Sequence, residues 1–399
     1  MENLTRKIQS AIQTNDFATI TSVFTGFGPD SWQNVGQGEQ RSLASDFICQ
    51  AVANPNFLEQ AVKHPEMEQT FLQALGHLPA TVPNASDNTL RQALFDAKVN
   101  ADDADYSGAA RILGGMRMDD DTNSVYYTSK VAKAEIYVKI AECFLAEDEI
   151  AESDSAVNKA GSAVESLSTE EKEGQSALLL RYKSTTARVL DANRKFLQAA
   201  SRYHELSQSS SDLLDAEELL HFLGRATTCA ILAPSGGQRQ RVLGHLYRDE
   251  RLSELDRLSD FCTHAKIVRK MYRHQILQAS ELKQLEESLD PHQKAIMGDG
   301  LSILERGVVE HNMVAVSKTY RSIYITTLAK ILNVDERRAE KLAASMILEG
   351  FLHGSMDQVN GLLEFDAEEP TEVAWDRSLL SFCSELNRVI DAIKVRTTT

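Results

Sequence analysis

The stretch of the sequence that most invites a chemical interpretation runs from residue 229 to 251 and reads CAILAPSGGQRQRVLGHLYRDER. Small residues at the start of a helix can bind a phosphate through bare backbone N–H groups, usually with a lysine to balance its charge. The Gly-x-x-x-x-Gly-Lys-Ser/Thr pattern of such loops is missing, and no strand pattern leads into the glycines. We therefore predict a corner between two helices, in which Pro234 stops the first, Gly236 and Gly237 turn the chain, and Arg239 begins the second.

Metal ligands are not arranged in any recognised pattern. The ten histidines form no His-Glu-x-x-His, and no His-x-His with the downstream serine and aspartate of JAMM-type isopeptidases. The five cysteines are widely spaced with no Cys-x-x-Cys pair, which is typical of reduced core residues in the cytosol or nucleus. The acidic run at 119–121 lacks the glycine and distal glutamate of a calcium loop, so we interpret it as a solvated turn.

Motifs for nucleophilic catalysis or nucleotide binding are also missing from the sequence. There is no Gly-x-Ser-x-Gly elbow. The two Gly-x-Gly pairs, at 26–28 and 36–38, lack both the third glycine and a preceding strand of a dinucleotide fingerprint. The sequence therefore predicts a protein that is not an enzyme, with no catalytic residue, no metal and no cofactor.

Composition narrows the possible partners. The chain has 42 Lys plus Arg against 58 Asp plus Glu, a net charge of −16, which argues against general affinity for nucleic acid or anionic membrane. Its 399 residues are 42% hydrophobic, enough for two or three domains with real cores. No apolar run approaches the 18 residues or so that a membrane span needs, and the amino terminus does not read as a secretory signal.

A helical unit recurs in the first half of the chain. Residues 94–116, 134–164 and 178–207 each read as helix, short polar turn, helix, with small residues where two helices would touch. Tyr137 and Tyr182 start comparable helices 45 residues apart, near the period of helical-hairpin repeats. Each hairpin has an apolar face that it cannot cover alone, so we expect the units to stack into a solenoid.

The pattern changes after residue 295. A helix at 300–320 is followed by a short strand pattern, RSIYIT, and by two helices that we expect Thr326 and Asp335 to cap. The second of these helices ends at Gly350, and residues 351–365 then alternate like a hairpin. This order predicts a winged helix whose sheet a neighbour could extend. Candidate contacts at the sheet are Ile323, Ile325 and Met356.

A winged helix can bind DNA through its second helix, and the charge of that helix indicates whether it could do so here. It carries one more acidic than basic residue, whereas a helix that enters a DNA groove needs surplus positive charge. Protein packing is the better interpretation. The charged residues are Asp335, Glu336, Arg337, Arg338, Glu340, Lys341 and Glu349.

The last predicted helix, at 375–394, has apolar residues every three or four positions. Such a seam is typical of a helix that packs against other helices. On pattern alone, those helices can belong to partner proteins or to the winged helix of the same chain. The seam residues are Leu379, Phe382, Leu386, Ile390 and Ile393.

Several strings resemble subunits of the PCI-domain family, which occur in the proteasome lid, the COP9 signalosome and translation initiation factor 3. The likeness covers roughly residues 104–394 in collinear order and is strongest to the signalosome members. The corner quoted above carries it, because lid subunits share its Ile-Leu-Ala-Pro but typically lack the arginine-rich continuation ending in Asp-Glu-Arg. The other strings lie at 187–207, 289–295, 303–320 and 339–365, and at Trp375-Asp376.

The resemblance implies a mainly α protein with four parts. These are a helical arm at 1–90, TPR-like repeats at 91–195, a PCI domain at 196–366 with its winged helix from about 321, and a bundle helix at 373–399. It also implies a non-catalytic scaffold subunit, found in cytoplasm and nucleus, of an assembly that removes Nedd8 from cullins of cullin–RING ubiquitin ligases. The alternatives are a scaffold of the proteasome lid and, more remotely, a nucleic-acid adaptor.

Partners follow from the same resemblance. They are the neighbouring PCI subunits, the MPN metalloprotease pair that carries the metal site, and the cullin–RING substrate, toward which the amino-terminal arm would reach. The first hundred residues match the family weakly. At the corner, the resemblance implies charge presented to neighbouring chains by Arg239, Arg241, Arg248 and Arg251.

Overall fold

The chain forms two compact units, residues 1–229 and 230–399. The domain limits given above remain a prediction. The computed structural model describes residues 2–14, 16, 19–20, 46, 48–63, 86–101, 104–122, 124, 126–209, 213–296, 298, 300–366, 375–376 and 378–388.

In the described part of the first unit the regular elements are helices, and Asp119 and Tyr127 form an isolated bridge. The tenth helix runs three residues past the boundary at 229, into the second unit. The helices are α1 Glu2–Thr14, α2 Pro55–Lys63, α3 Ser86–Val99, α4 Tyr106–Gly114, α5 Lys130–Ala146, α6 Ile150–Glu165, α7 Thr169–Gly174, α8 Ser176–Ala192, α9 Phe196–Ser207 and α10 Ala216–Leu232.

Two helical hairpins, α5–α6 and α8–α9, turn in the same way. Asp148 and Arg194 sit at φ 56° and 59°, in the left-handed region, directly after their first helices. The next backbone N–H then donates back to a carbonyl five residues earlier, from Glu149 to Phe144 and from Lys195 to Leu190, both at 2.9 Å. This 6→1 bond is the Schellman ending of a helix, and it reverses the chain within a few residues.

Successive hairpins pack on one another, as expected for repeats. Tyr182 of α8 lies against α6 at Gly161, where an added Cβ would come within 2.8 Å of the tyrosine oxygen. Val189 of α8 joins the same buried cluster as Ile136 and Ala141 of α5. Fully buried alanines let the helices approach closely, so the predicted helical-repeat architecture is confirmed.

The second unit begins with helices, which lead to a small sheet, and its last described segment, within 375–388, is helical. Its helices are α11 Gly237–Arg248, α12 His264–Tyr272, α13 Ala279–Glu287, α14 Ile303–Thr319, α15 Ile325–Leu332 and α16 Glu336–Leu348, with 3-10 turns at Glu250–Arg257, Ser259–Phe261 and Pro291–Lys294. Its strands are β1 Ser322–Tyr324, β2 Gly354–Asp357 and β3 Leu362–Phe365.

The three strands form one antiparallel sheet in the order β1-β3-β2, so β3 is central. Ile323 pairs with Leu363, which in turn pairs with Met356. The sheet covers α14, α15 and α16 in a core that includes Met313 and Ala343, both fully buried. Strand, helix, helix and hairpin therefore confirm the winged helix predicted from the sequence.

The ends of the winged-helix helices follow the sequence with one exception. Asp335 occupies the N-cap position of α16 as predicted, although its side chain makes no capping hydrogen bond, and Gly350, at φ 76°, follows the end of the helix. Thr326 does not cap α15: the helix begins one residue earlier, at Ile325, after Tyr324 in an extended conformation. The β-branched pattern of RSIYIT continued past the strand, which is why the boundary was misplaced.

The helix before the sheet starts with a capping box. Ser302 accepts from the N–H of Glu305, and Glu305 accepts in return from the N–H of Ser302 at 2.9 Å. This pairing satisfies two of the donors that a helix start leaves open. Across the described part of the chain, no helix combines the length and apolarity that a bilayer crossing requires.

Leu363→Ala should destabilise the second unit by about 2–5 kcal/mol, because Leu363 is fully buried on the central strand and its loss leaves a cavity. Val359→Ala, at the hairpin tip, is the control. Its side chain is 94% exposed, so its effect should stay within about 0.5 kcal/mol. Urea unfolding followed by circular dichroism measures both, and equal effects would contradict the core assignment.

Candidate protein-interaction surfaces

The predicted corner between α10 and α11 is present, and α10 ends at Leu232. The second helix begins at Gly237, two residues before the predicted start at Arg239, so Gly237 is helical and only Gly236 lies in the turn. Arg239, however, points inward and is only 3% exposed. Its Nε and Nη2 donate to the carbonyls of Ala230 and Ile231, at 3.1 and 2.7 Å, and its Nη1 donates to Ser235 Oγ at 3.1 Å. The guanidinium thus satisfies carbonyls at the end of α10, where a positive charge is favourable.

A buried glutamate on α14 completes the corner. Glu310 accepts from the backbone N–H of Ser235 at 3.2 Å and from Arg306 Nε at 2.9 Å. Burial lowers the pKa of Arg239 to about 10, while the charge of Glu310 acts in the opposite direction, so the guanidinium stays protonated at neutral pH. The corner is therefore an internal clamp, and Arg239 does not present its charge to a neighbouring chain.

The other three predicted arginines divide into two kinds. Arg251 is engaged by Asp249, whose carboxylate accepts from its Nε at 3.1 Å and its Nη2 at 2.7 Å. Arg241 and Arg248 are exposed on α11. The structure thus leaves two of the four arginines available to a partner.

Next to the clamp, α14 buries two further polar residues that the sequence reasoning missed. His311 Nε2 donates to the carbonyl of Gln275 at 3.0 Å. The Asn312 amide pairs with both backbone groups of Leu277, at 2.9 and 3.1 Å. The signal was a polar triplet, Glu-His-Asn, in the middle of an otherwise apolar helix.

These buried groups hold the chain together and do not form a metal site. Burial lowers the pKa of His311 to about 4, and the charge of Arg239 acts in the same direction. Burial likewise lowers the pKa of His264 to about 4. Among the described residues, no cluster of three His, Cys, Asp or Glu side chains could hold a metal ion.

At the sheet, two of the three predicted contact residues are in the core. Ile323 and Ile325 are 5% and 8% exposed and pack inside the winged helix, because the alternation of β1 directs Ile323 inward. Met356 on β2 is partly buried. β1 exposes Ser322 and Tyr324. Tyr324 is the apolar one of the two, is 59% exposed, and was not among the predicted contacts.

The last described segment is helical and its apolar side chains are uncovered. Phe382 is 65% exposed and Trp375 is 67% exposed, and Leu379 and Leu386 are also exposed. Residues 375–376 and 378–388 are all exposed, so no described part of the chain covers the apolar side chains of this seam. Ile390 and Ile393, the other two predicted seam residues, lie outside the described residues.

Helical repeats that lead to a winged helix define a PCI-type scaffold protein. The PCI domain family matches residues 259–367, and the family described as PSMD12/CSN4, N-terminal, matches residues 85–212. COP9 signalosome complex subunit 4 of Arabidopsis thaliana is 34% identical over 393 residues, covering 89% of this chain and 95% of that protein. This chain therefore belongs to the COP9 signalosome complex subunit 4 family.

Two further members of the family give a similar picture. The Dictyostelium discoideum protein of the same name is 34% identical over 297 residues, covering 74% of this chain and 71% of that protein. The Drosophila melanogaster protein is 36% identical over 290 residues, covering 73% and 67%. The resemblance found in the sequence is thus confirmed.

Arg239→Met should cost about 3 kcal/mol or more of unfolding free energy, because it leaves the buried carbonyls and Ser235 without their donor. Arg241→Met is the matched control: it removes the same group from an exposed position and should change stability by about 0.5 kcal/mol at most. Urea unfolding measures both. Equal stability of the two variants would rule out the clamp.

Lowering the pH should unfold the chain partly through His311. Its folded pKa of about 4 lies below the ordinary 6.5, so the unfolded state binds the proton first, and the stability present above pH 6.5 is lost as the pH falls toward 4. Wild type should lose about 2 kcal/mol more than His311→Asn between pH 7 and 5. Parallel pH profiles of the two proteins would disprove this.

Proposed function

We propose that this chain is a non-catalytic scaffold and substrate-sensing subunit of the COP9 signalosome, present in cytoplasm and nucleus. The observation that carries the proposal is the uncovered apolar seam of the terminal helix. A large exposed apolar surface on a protein normally marks a site that another protein covers.

The seam has the spacing of a helix bundle. Trp375, Leu379, Phe382 and Leu386 follow one another at intervals of four, three and four residues, the a/d spacing of helices that pack side by side. Covering a Leu or Phe side chain contributes about 1.5–3 kcal/mol each. Several such side chains supply enough free energy for stable association with helices of sister subunits.

The sheet offers a second means of association. β1 and β2 are the two edge strands, because β3 lies between them. An edge strand has backbone N–H and C=O groups along one side that a neighbouring strand can pair with. Arrangement of winged helices edge to edge in the assembly would use such pairing, with exposed Tyr324 and half-buried Met356 beside it.

The catalytic step belongs to other subunits in this proposal. The MPN metalloprotease pair would supply the metal site that removes Nedd8 from cullins. The amino-terminal part of this chain would reach toward the cullin–RING substrate, and this part of the proposal rests on family membership. The remote alternative, a nucleic-acid adaptor, is disfavoured by the net charge of −16 and by the absence of surplus positive charge over residues 335–349, where α16 and its two flanking acidic residues sum to −1.

Leu386→Asp should prevent joining of the assembly, because a carboxylate in a desolvated helix seam costs several kcal/mol. Recovery of signalosome subunits with the tagged full-length variant, measured by affinity purification and mass spectrometry, should fall at least about tenfold. Deletion of residues 375–399 should have the same effect while leaving a folded chain.

Ser384→Asp is the control, because it adds the same charge on the same helix away from the seam. It should leave recovery unchanged. Full recovery of the Leu386→Asp variant would refute the role of the seam. Recovery of proteasome lid subunits in place of signalosome subunits would refute the assignment of the assembly.

A further inference from the structure

Two adjacent helices of the second unit concentrate positive charge in an acidic protein. Residues 237–248 and 264–273 contain seven Lys or Arg and no Asp or Glu, although acidic residues outnumber basic ones 58 to 42 in the whole chain. Not all seven are available at the surface, since Arg239 is buried in the clamp. The contacts of the other six basic residues show which of them are available to a partner.

Two lysines of α12 share one carboxylate within the chain, which offsets part of their charge. Lys266 and Lys270 both contact Glu281 of α13, at 2.8 and 2.7 Å. The lysine partners outweigh burial and lower the pKa of Glu281 to about 2, so its carboxylate is charged at any physiological pH. Arg269 is partly buried and donates to Ser253 Oγ at 2.7 Å. The other exposed arginines near the seam between α11 and α12 are Arg241, Arg248 and Arg273, and His245 lies between the first two on α11. We call these four residues the basic face.

Packing between α11 and α12 fixes the orientation of the basic face. Tyr272 lies over α11 at Gly244, and its ring stacks on Tyr247 with centroids 4.5 Å apart. Gln240 donates to the Tyr272 carbonyl at 3.2 Å. Positions 240, 244 and 247 therefore face α12. Residues 241, 245 and 248, each one position further along the helix, form a neighbouring stripe that is exposed.

Arg273 extends the stripe from the other helix. Its Nη2 donates to the Tyr247 hydroxyl at 2.9 Å, and its guanidinium carbon lies 5.7 Å from the centroid of the same ring. This cation–π contact holds Arg273 in place while leaving it exposed. The basic face is thus partly preorganised, which lowers the entropy cost of binding a partner.

Nearby acidic groups only partly offset the basic face. Asp249 follows α11 directly, but its carboxylate accepts from the backbone N–H and the guanidinium of Arg251 and is largely buried. Glu250 is exposed.

The composition of the basic face is typical of a protein interface. Two of its α11 residues are arginines, which lie beside half-buried tyrosines, and Arg and Tyr are enriched at protein interfaces.

We propose that the basic face docks a short Asp- and Glu-rich segment of a neighbouring protein. The planar guanidinium matches a carboxylate in two hydrogen bonds, which a lysine does not do. From Arg241 to Arg248 the helix rises about 10 Å, the length of about three residues of extended chain. The proposal rests on the function proposed above, in which the chain works among protein neighbours.

A short acidic segment fits this protein better than a nucleic acid does. A long polyanion would pass over the rest of a surface whose net charge is −16 and would be repelled. A segment of a few residues feels mainly the charges within about 10 Å, which is the screening length at 0.1 M salt. For a short acidic segment, the attraction of the nearby arginines therefore outweighs the repulsion from the net negative charge of the protein. For a long polyanion it does not.

The test uses the full-length chain and a fluorescein-labelled peptide of ten glutamates, with binding measured by fluorescence anisotropy at 50 mM salt. Wild type should bind it, and Arg241→Ser/Arg248→Ser should bind about tenfold more weakly. The matched control, Arg337→Ser/Lys341→Ser, removes two positive charges from exposed positions of α16 and should bind like wild type.

Three results would overturn the proposal: no binding by wild type, equal loss in both double variants, or tighter binding of a labelled ten-nucleotide thymidine strand than of the peptide. Affinity purification of the same variants separates this proposal from the proposed function. Assembly without peptide binding refutes the docking face alone. Peptide binding by a wild-type chain that recovers no signalosome subunits refutes the proposed function.

Discussion

The buried guanidinium of Arg239 is the interaction on which the second unit depends. A charge in the interior is tolerable only when its donors are satisfied, and here two helix-end carbonyls and a serine hydroxyl accept from it. Because Glu310 of α14 holds the Ser235 backbone in the same corner, one cluster joins α10, α11 and α14. The position of α11, and hence the orientation of its exposed arginines, follows from this cluster.

The surfaces left after folding are of two chemical kinds. The terminal helix presents apolar side chains, and the basic face on α11 and α12 presents cations, of which Arg273 is held against the ring of Tyr247. Apolar seams supply affinity because burial releases water, whereas charged faces mainly select and orient partners. A scaffold subunit needs both, since it must hold its neighbours and discriminate among them.

Several helices of the two units end in the same way. The same 6→1 bond closes α5, α8, α12, α15 and α16, each with the residue just before the donor in the left-handed region. Asn333 and Gly350 are the residue types that most often end helices in this way, and Asp148 and His274 belong to types that also enter the left-handed region more readily than most. Arg194 has no such local preference, so no local pattern predicts its conformation.

The helical repeats, the winged helix and the family could be predicted from the sequence alone, because periodicity, turn residues and long shared strings are local properties. The sequence did not show which arginines of the corner are buried, which face of β1 points outward or which polar residues of α14 lie inside; these became visible in the folded chain. Those outcomes depend on contacts between residues far apart in the chain, such as Ser235 and Glu310, 75 positions apart. Whether a residue is buried depends on which residues surround it in space, and its own type does not specify those neighbours.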